Sequence, residues 1–345
     1  MKRLKIAVVG IGHIGTQHAK HAHDKGDLLA VCDIKKDRAD TTAQQYHCRP
    51  YYTINDLLTN ERDIDLVSIC TPNGLHADHT IQSLKAGTNV LCEKPMATTV
   101  RACEHMIHTA EETNKRLFIV KQNRFNPPVQ AVKTAIQEGR LGKIINTQVN
   151  CFWNRNQQYY KDSDWRGTLD LDGGTLFTQY SHFIDLLYWM IGDVDDAHVY
   201  THNYLHHDTI QFEDTGVAIL TFTCGAIGAI NFTINSHGKN MEGSITIFGE
   251  KGTVKIGGQY LNVLEYQNIQ DYAIPTLPPG NPPNTYPGAN IGSMSNHDKV
   301  YQNIIDVLIN GGRVATDMLD GLKTVQIIEK IYKAAGRKPK ETCRP

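Results

Sequence analysis

Short apolar runs alternate with helix-like stretches over the first third of the chain. The apolar runs are too short for buried helices, and glycines, prolines or polar clusters bound most of them. Short apolar strands joined by helices predict an α/β domain with a parallel, doubly wound sheet over residues 1–123. Strands are expected at 4–9, 28–33, 65–71, 88–92 and 116–121, and helices from the end of the glycine motif to about 25 and at 37–47, 76–86 and 98–114.

The pattern changes after residue 123. Longer strand-like runs are joined by hairpin-type turns, which predicts an α+β domain over 124–345 with a large, mostly antiparallel open sheet. One helix is expected at about 174–190, and a return of the C-terminal helices to the first domain is left open. The strands are expected at 143–154, 214–223, 226–236, 243–249, 252–257 and 260–266, and the other helices at about 128–138, 294–310 and 319–336.

Composition and charge exclude several classes of function. Among 345 residues, Lys+Arg total 35 and Asp+Glu total 36, so no basic surface for nucleic acid is expected. No apolar run approaches the roughly 18 residues that cross a bilayer. The eight scattered cysteines show no metal-ligand spacing and indicate free thiols in a reducing cytosol. We therefore predict a cytoplasmic protein without nucleic-acid or membrane partners.

Three histidines on the first helix resemble metal ligands. His18, His21 and His23 lie on a polar stretch with no acidic or cysteine partner nearby in sequence. A solvated helix face is the better interpretation, and no metal is expected.

The loop Gly10-Ile11-Gly12-His13-Ile14-Gly15 follows the first strand and opens the first helix. In this context the motif predicts a dinucleotide site: Gly10 makes the tight turn, Gly12 admits the diphosphate and Gly15 permits close helix packing. Asp33 ends the next strand and would accept hydrogen bonds from the ribose hydroxyls, which favours NAD. Lys35 and Lys36 could instead reach the extra phosphate of NADP.

A second candidate site lies at Asn89–Pro95, an apolar strand that ends on Glu93, Lys94 and Pro95. Open α/β sheets bind ligands at the carboxyl ends of their strands. The alternative is a surface Glu-Lys pair that closes an ordinary strand.

The third candidate is the stretch Gly173–Asp185. In the expected helix, Thr178, His182 and Asp185 share a face. An imidazole near a carboxylate on an otherwise apolar helix indicates a placed proton acceptor. The alternative is a core histidine that Asp185 satisfies.

Together these motifs resemble the glucose–fructose oxidoreductase / inositol dehydrogenase family. The resemblance runs through Gly10–Gly15, Thr71-Pro72-Asn73, Glu93-Lys94-Pro95, Gln122-Asn123-Arg124 and the block Gly173–Asp185. Within the family, Asp164–Thr168, Gly173–Asp185 and Lys239–Ser244 most resemble the UDP-N-acetylglucosaminuronate 3-dehydrogenases of lipopolysaccharide O-antigen synthesis.

The resemblance implies a Rossmann domain that binds NAD, a second domain whose open sheet faces a partner subunit, and a homodimer or homotetramer. It implies that Lys94 and His182 flank the reacting carbon, with Asp185 orienting the imidazole. The cofactor would be lined by Gly10, Gly12, His13, Ile14, Gly15, Asp33, Thr71, Asn73, His76, Glu93, Lys94, Gln122, Trp165 and Arg166. The substrate would be lined by Lys94, Asn123, Arg124, Thr178, Gln179 and His182. Many polyol dehydrogenases of the family have an aspartate where this chain has Thr178, which argues against an inositol-type site.

The implied reaction is oxidation of the C3 hydroxyl of a UDP-linked N-acetylhexosamine or its uronate, with NAD as oxidant. Some relatives regenerate bound NAD with 2-oxoglutarate, and this route is left open here. A free sugar, polyol or dihydrodiol substrate is the first alternative, and a non-catalytic NAD-binding regulator is the second. The proline-rich residues 270–292 are expected to cover either the active site or a subunit contact.

Overall fold

The computed structural model describes residues 3–285 and 291–337. The chain divides into two compact units. The first extends to Lys121 and includes His297–Val325, and the second comprises Gln122–Asn296 and the chain from Gln326. The sequence predicts one boundary after residue 123, whereas the chain enters the first unit again at His297.

The first unit contains a six-stranded sheet in the order β3-β2-β1-β4-β5-β6, and every adjacent pair is parallel. This is the doubly wound order, and it confirms the predicted Rossmann fold. The strands are β1 (Lys5–Val9), β2 (Asp27–Cys32), β3 (Arg49–Tyr51), β4 (Leu66–Ile69), β5 (Asn89–Cys92) and β6 (Leu117–Ile119). The helices are α1 (His13–Lys25), α2 (Lys36–Tyr46), α3 (Ile54–Asn60), α4 (His76–Lys85) and α5 (Val100–Glu112).

Burial and capping explain these elements. Every residue of β4 is buried, as in a parallel sheet with helices on both faces. Helix α5 begins where the Thr99 hydroxyl accepts a hydrogen bond from the backbone N–H of Ala102, at 3.2 Å.

The second unit contains a seven-stranded sheet in the order β13-β12-β11-β7-β10-β9-β8, in which only β7 and β10 are parallel neighbours. The predicted mostly antiparallel sheet is confirmed. Its strands are β7 (Ile144–Phe152), β8 (Val194–His202), β9 (Thr215–Phe222), β10 (Ile227–Thr233), β11 (Glu242–Gly249), β12 (Gly252–Gly257) and β13 (Val263–Ile269). A small hairpin pairs β14 (Pro283–Thr285) with β15 (Ile291–Met294). The helices are α6 (Pro127–Gln137), α7 (Gln157–Lys161), α8 (Thr175–Thr178) and α9 (Ser181–Ile191).

The prediction of one continuous helix at about 174–190 was wrong, because the helix is interrupted. Helix α8 ends at Thr178 and α9 begins at Ser181. Tyr180, between them, has a fully buried ring that packs on Trp153 and Phe232, and its hydroxyl donates to the carbonyl of Thr233 at 2.6 Å. Because this packing fixes the backbone of Tyr180 outside the helix, Thr178 and His182 do not share one helical face.

The sheet of the second unit has one buried and one open face. Residues of β9 alternate between buried and exposed, and its exposed side includes Val217 and Ile219. Ile227 on β10 and Phe248 on β11 are also exposed. The assembly into a homodimer or homotetramer stays a prediction, as does the covering role of residues 270–292, of which 286–290 lie outside the described residues.

Two C-terminal helices complete the fold, α10 (His297–Asn310) and α11 (Met318–Ala334). Helix α10 belongs to the first unit and packs against α1. Within the described part of the chain, no helix combines the length and apolarity that a bilayer crossing requires.

Candidate functional site

The glycine loop has the shape that a dinucleotide requires. Gly10 has a φ of +89°, and a Cβ there would lie 2.7 Å from the carbonyl carbon of Cys70. A Cβ on Gly15 would lie 1.8 Å from the carbonyl oxygen of Gly10, so both positions need glycine for packing. A Cβ on Gly12 would meet nothing within 4 Å. The space beside Gly12 is therefore open where the diphosphate would approach, next to the first residues of α1, His13 and Ile14.

Asp33 is held at the same edge of the sheet. Its Oδ2 accepts from the backbone N–H of Ile11 at 2.7 Å, and its Oδ1 accepts from that of Lys35 at 2.8 Å. The side chain is buried, so its direction is fixed. Each carboxylate oxygen can accept a further hydrogen bond, which is what a ribose hydroxyl needs.

His76 contacts backbone rather than open space. Its Nδ1 lies 2.7 Å from the carbonyl oxygen of Pro95, and its Nε2 lies 2.8 Å from that of Thr71. Burial lowers the pKa of this imidazole. Thr71 also contacts His79 through its hydroxyl, and Asn73 is buried in a short 3₁₀ helix. The predicted contact of His76 with the cofactor would therefore be made through the ring carbons.

The carboxylate of Glu93 is buried and has protein donors on both oxygens. Oε1 lies 3.0 Å from Nε2 of His18 and 3.1 Å from Nε2 of His297, and Oε2 accepts from the backbone N–H of Lys94 at 3.0 Å. Burial alone would raise the pKa of Glu93, but the hydrogen bonds from the two imidazoles hold it well below its usual range. Glu93 is therefore an anion inside the protein.

His18 continues this network. Burial lowers the pKa of His18, so the ring is neutral. A neutral ring that donates from Nε2 to Glu93 accepts at Nδ1, where the Tyr301 hydroxyl lies at 3.0 Å. Tyr301 in turn lies 2.7 Å from the hydroxyl of Ser68. The network thus connects Tyr301 on α10 and His18 on α1 to Glu93, which precedes Lys94, and it reaches β4 through Ser68.

The prediction that His18 lies on a solvated face was wrong. His18 is fully buried, His21 is half-buried and only His23 is exposed. The partners Glu93 and His297 are distant in sequence, so local pattern gives no signal for them. The ligand atoms of His18, Glu93 and His297 lie within 4.8 Å of one another, a spacing that would also suit a metal ion. Hydrogen bonds from His18 and His297 to Glu93 already account for this spacing.

Lys94 is held by its neighbours along the chain. Its side chain is half-buried, its backbone N–H is bound by Glu93, and the carbonyl of the following Pro95 contacts His76. Its backbone is consequently fixed on both sides.

In the second unit, His182 lies in the first turn of α9 and is buried. Nε2 of Gln122 lies 3.5 Å from Nε2 of His182 and donates to the Ser293 hydroxyl at 3.0 Å. An amide N–H that faces Nε2 favours the tautomer with a lone pair on that atom. Oε1 of Gln122 and Oδ1 of Asn123 are buried without a hydrogen-bond partner among the described residues. Unmatched buried acceptors beside a potential base are typical of a ligand site.

Arg124 and Asp185 form a buried bidentate ion pair. Nε and Nη2 of Arg124 donate to Oδ2 and Oδ1 of Asp185 at 2.9 and 2.7 Å, and the guanidinium lies 5.1 Å from the ring centroid of Trp189. This pair fixes the turn of Gln122 against the helix of His182. Direct contact of Arg124 with substrate and orientation of the imidazole by Asp185 stay predictions.

Thr178 and Gln179 bind residues that sequence reasoning did not identify. The Thr178 hydroxyl donates to the carboxylate of Asp172, and burial raises the pKa of Asp172 to about 6. Gln179 accepts from Nε of Arg155 at 2.8 Å and donates to the hydroxyl of Tyr159 at 2.9 Å. The loop that brings these side chains together has no repeating pattern from which they could be predicted.

Trp165 and Arg166, which the resemblance places near the cofactor, lie in this second unit. The guanidinium of Arg166 is 4.2 Å from the ring centroid of Tyr159 and 5.5 Å from that of Trp165. Their contact with the cofactor stays a prediction.

Comparison with known proteins identifies the two parts of the chain. A family model described as "Oxidoreductase family, NAD-binding Rossmann fold" matches residues 4–121, and one described as "GFO/IDH/MocA C-terminal domain" matches residues 129–255. The levoglucosan dehydrogenase of Pseudarthrobacter phenanthrenivorans is 22% identical over 312 residues, which cover 81% of this chain and 80% of that protein.

Two solved structures are similar over nearly the whole chain. The WlbA dehydrogenase of Bordetella pertussis, in complex with NADH and UDP-GlcNAcA, is 34% identical, with a TM-score of 0.87 over 99% of this chain and 100% of that chain. The WlbA dehydrogenase of Chromobacterium violaceum, with the same two ligands, is 34% identical, with a TM-score of 0.88 over 98% of this chain and 95% of that chain.

Proposed function

Because the chain belongs to the Gfo/Idh/MocA family of NAD-dependent oxidoreductases that act on sugars and related alcohols, we propose that it oxidises the C3 hydroxyl of a UDP-linked N-acetylhexosamine, with the uronate UDP-GlcNAcA as the preferred substrate. The observation that carries the proposal is the near full-length similarity to two dehydrogenases whose structures contain NADH and UDP-GlcNAcA. The 3-keto product would suit an aminotransferase in the synthesis of a surface polysaccharide.

We assign the following roles to the chain's own residues. His182 takes the hydroxyl proton at Nε2, the atom that the Gln122 amide faces. Lys94 donates a hydrogen bond to the same oxygen and stabilises the alkoxide that develops there. These roles require the Lys94 ammonium and the His182 imidazole to face one carbon atom. Bound NAD supplies the hydride acceptor.

Thr178 supports a substrate other than inositol. A carboxylate at this position would lie beside Asp172, whose carboxylate the Thr178 hydroxyl now binds. Two carboxylates so close, one of them buried, would repel each other unless one were protonated. The hydrogen bond between Thr178 and Asp172 therefore disfavours an aspartate at position 178, which many polyol dehydrogenases of the family have.

A substrate panel tests the proposal. NADH formation is followed with UDP-GlcNAcA, UDP-GlcNAc, levoglucosan, glucose and myo-inositol, each with and without 2-oxoglutarate. We expect turnover with UDP-GlcNAcA, and losses of several orders of magnitude in His182→Asn and Lys94→Met but not in the exposed control His198→Asn. Turnover only with a free sugar would contradict the proposed substrate. No turnover with any alcohol, despite bound NAD, would favour a regulator.

A further inference from the structure

The second unit contains a buried arginine whose charge is not neutralised by a carboxylate. Arg155 is only 5% exposed. Its Nε donates to Oε1 of Gln179 at 2.8 Å, and its Nη1 donates to the carbonyl of Asn154 at 2.7 Å and to Oδ1 of Asn240 at 3.1 Å. All three acceptors are neutral. Among the described residues, none provides an ion pair to Arg155 or a hydrogen bond to its Nη2.

A second cation lies against the same aromatic ring. The Tyr159 ring centroid is 5.3 Å from Cζ of Arg155 and 4.2 Å from Cζ of Arg166. Nε of Arg166 is buried and has no hydrogen-bond partner within the described ranges. Gln179 fixes both the ring and the first cation, because it binds the Tyr159 hydroxyl as well as Arg155.

The carboxylate of Asp172 does not balance both charges. The charge of Arg166 is felt at Asp172, but burial outweighs it and raises the pKa of Asp172 to about 6. The oxygens of Asp172 are already bound by the Thr178 hydroxyl and by the backbone N–H of Gly167. Two guanidinium groups that contact one tyrosine ring, neither of them in an ion pair among the described residues, are unfavourable unless an anion joins them, because a cation removed from water is costly unless it is paired.

We propose that Arg155 and Arg166 form a binding site for an anion of the substrate, either the diphosphate or the sugar carboxylate of a nucleotide-linked uronate. This inference rests on the proposed function. The planar guanidinium presents paired N–H donors that match the oxygens of phosphate and carboxylate groups. Tyr159 and Gln179 hold the donors in position, so binding requires little reordering. The site would set the choice of a charged, nucleotide-linked sugar over a neutral one.

Calorimetric titration of the NAD-loaded enzyme tests the site. UDP, UDP-GlcNAc and UDP-GlcNAcA are titrated into wild type, Arg155→Gln, Arg166→Gln and Arg140→Gln. Arg140 is the matched control, because it also stacks on a tyrosine, Tyr272 at 4.7 Å, but is exposed and paired with Glu138. We expect a loss of at least about tenfold in affinity in the first two variants and none in the control.

The pattern of affinity losses across the three ligands shows which anion, the diphosphate or the carboxylate, binds at this site. Loss of affinity for all three nucleotides supports the site and places the diphosphate there, whereas loss confined to UDP-GlcNAcA supports it and places the carboxylate there. Wild-type affinities in both variants would overturn the proposal. Weakened binding of NAD alone in Arg166→Gln would also overturn it, in favour of a cofactor contact.

A measurement with inorganic pyrophosphate distinguishes a failure of this inference from a failure of the proposed function. If no UDP-sugar binds, but pyrophosphate raises the melting temperature of wild type and not of Arg155→Gln, the anion site stands and the substrate assignment falls. Equal stabilisation of both proteins would overturn the site. Removal of an uncompensated buried charge should leave Arg155→Gln folded, which circular dichroism checks. If that variant is misfolded, the half-buried Arg166→Gln gives the same comparison.

Discussion

Arg124 and Asp185 form a buried, bidentate ion pair with N···O distances of 2.9 and 2.7 Å. Arg124 belongs to the turn that carries Gln122 and Asn123, and Asp185 belongs to the helix that carries His182. The pair therefore sets the position of the amide that faces the imidazole. This gives Asp185 a structural role in addition to the one predicted from its spacing to His182.

Asp185→Asn should strongly destabilise the protein. The variant would leave the Arg124 guanidinium buried and unpaired, and removing one partner of a buried pair costs about 3–5 kcal/mol. Chemical denaturation monitored by circular dichroism measures the change. Glu138→Gln, which breaks an exposed pair with Arg140, is the control and should change stability by less than about 1 kcal/mol. Equal stabilities of the two variants would mean that the Arg124–Asp185 pair contributes nothing.

Glu93→Gln should lower kcat much more than it weakens NAD binding. The glutamine would present N–H donors to a site where His18 donates, and the backbone N–H of Lys94 would lose a charged acceptor. Displacement of a catalytic group by about 1 Å can lower the rate about 100-fold. Steady-state kinetics and NAD titration measure both effects, with the exposed His23→Asn as control. A large loss of NAD affinity with unchanged kcat would contradict this positioning role of Glu93.

Asp33→Ala should shift cofactor preference toward NADP. The change removes a negative charge that would repel a 2′-phosphate, and it removes the acceptor of the Ile11 N–H. The ratio of kcat/KM for NADP over NAD should rise at least about tenfold, which is about 1.4 kcal/mol. Asp33→Asn keeps an acceptor without the charge and separates the two contributions. An unchanged ratio in both variants would mean that the adenosine ribose binds elsewhere.

Glu213 should make the stability of the protein depend on pH. Burial raises its pKa from 4.5 to about 7, and its Oε1 accepts from the Tyr332 hydroxyl at 2.6 Å. Because the folded state holds this proton more tightly than the unfolded state, the contribution of Glu213 to the unfolding free energy falls as the pH rises from 4.5 to about 7. Glu213→Gln, which can still accept from Tyr332, removes this contribution. Its melting temperature relative to wild type should be higher at about pH 8 than at about pH 5, and a constant difference would contradict the assignment.

Local sequence was sufficient for the conformation of the glycine loop and for most strands of the two sheets. The loop and the strands depend on residues that are adjacent or periodic in the chain, and their φ values and burial follow from residue type. The network around Glu93 could not be predicted in this way, because His18 and His297 come from helices far from it in sequence. The interruption at Tyr180 was missed for a related reason. No glycine or proline marks the break at positions 179 and 180, and the backbone conformation there depends on the packing of the Tyr180 ring against residues distant in sequence. Strand β8 was also missed, since its edge position leaves most of its side chains polar and exposed.

Transfer of deuterium from C3 of the substrate to the cofactor tests the proposed reaction most directly. UDP-GlcNAcA labelled with deuterium at C3 is incubated with the enzyme and NAD, and the NADH that forms is analysed by mass spectrometry. We expect deuterated NADH from wild type and essentially none from His182→Asn or Lys94→Met. Unlabelled NADH, or no NADH from a folded enzyme with bound cofactor, would contradict oxidation at C3.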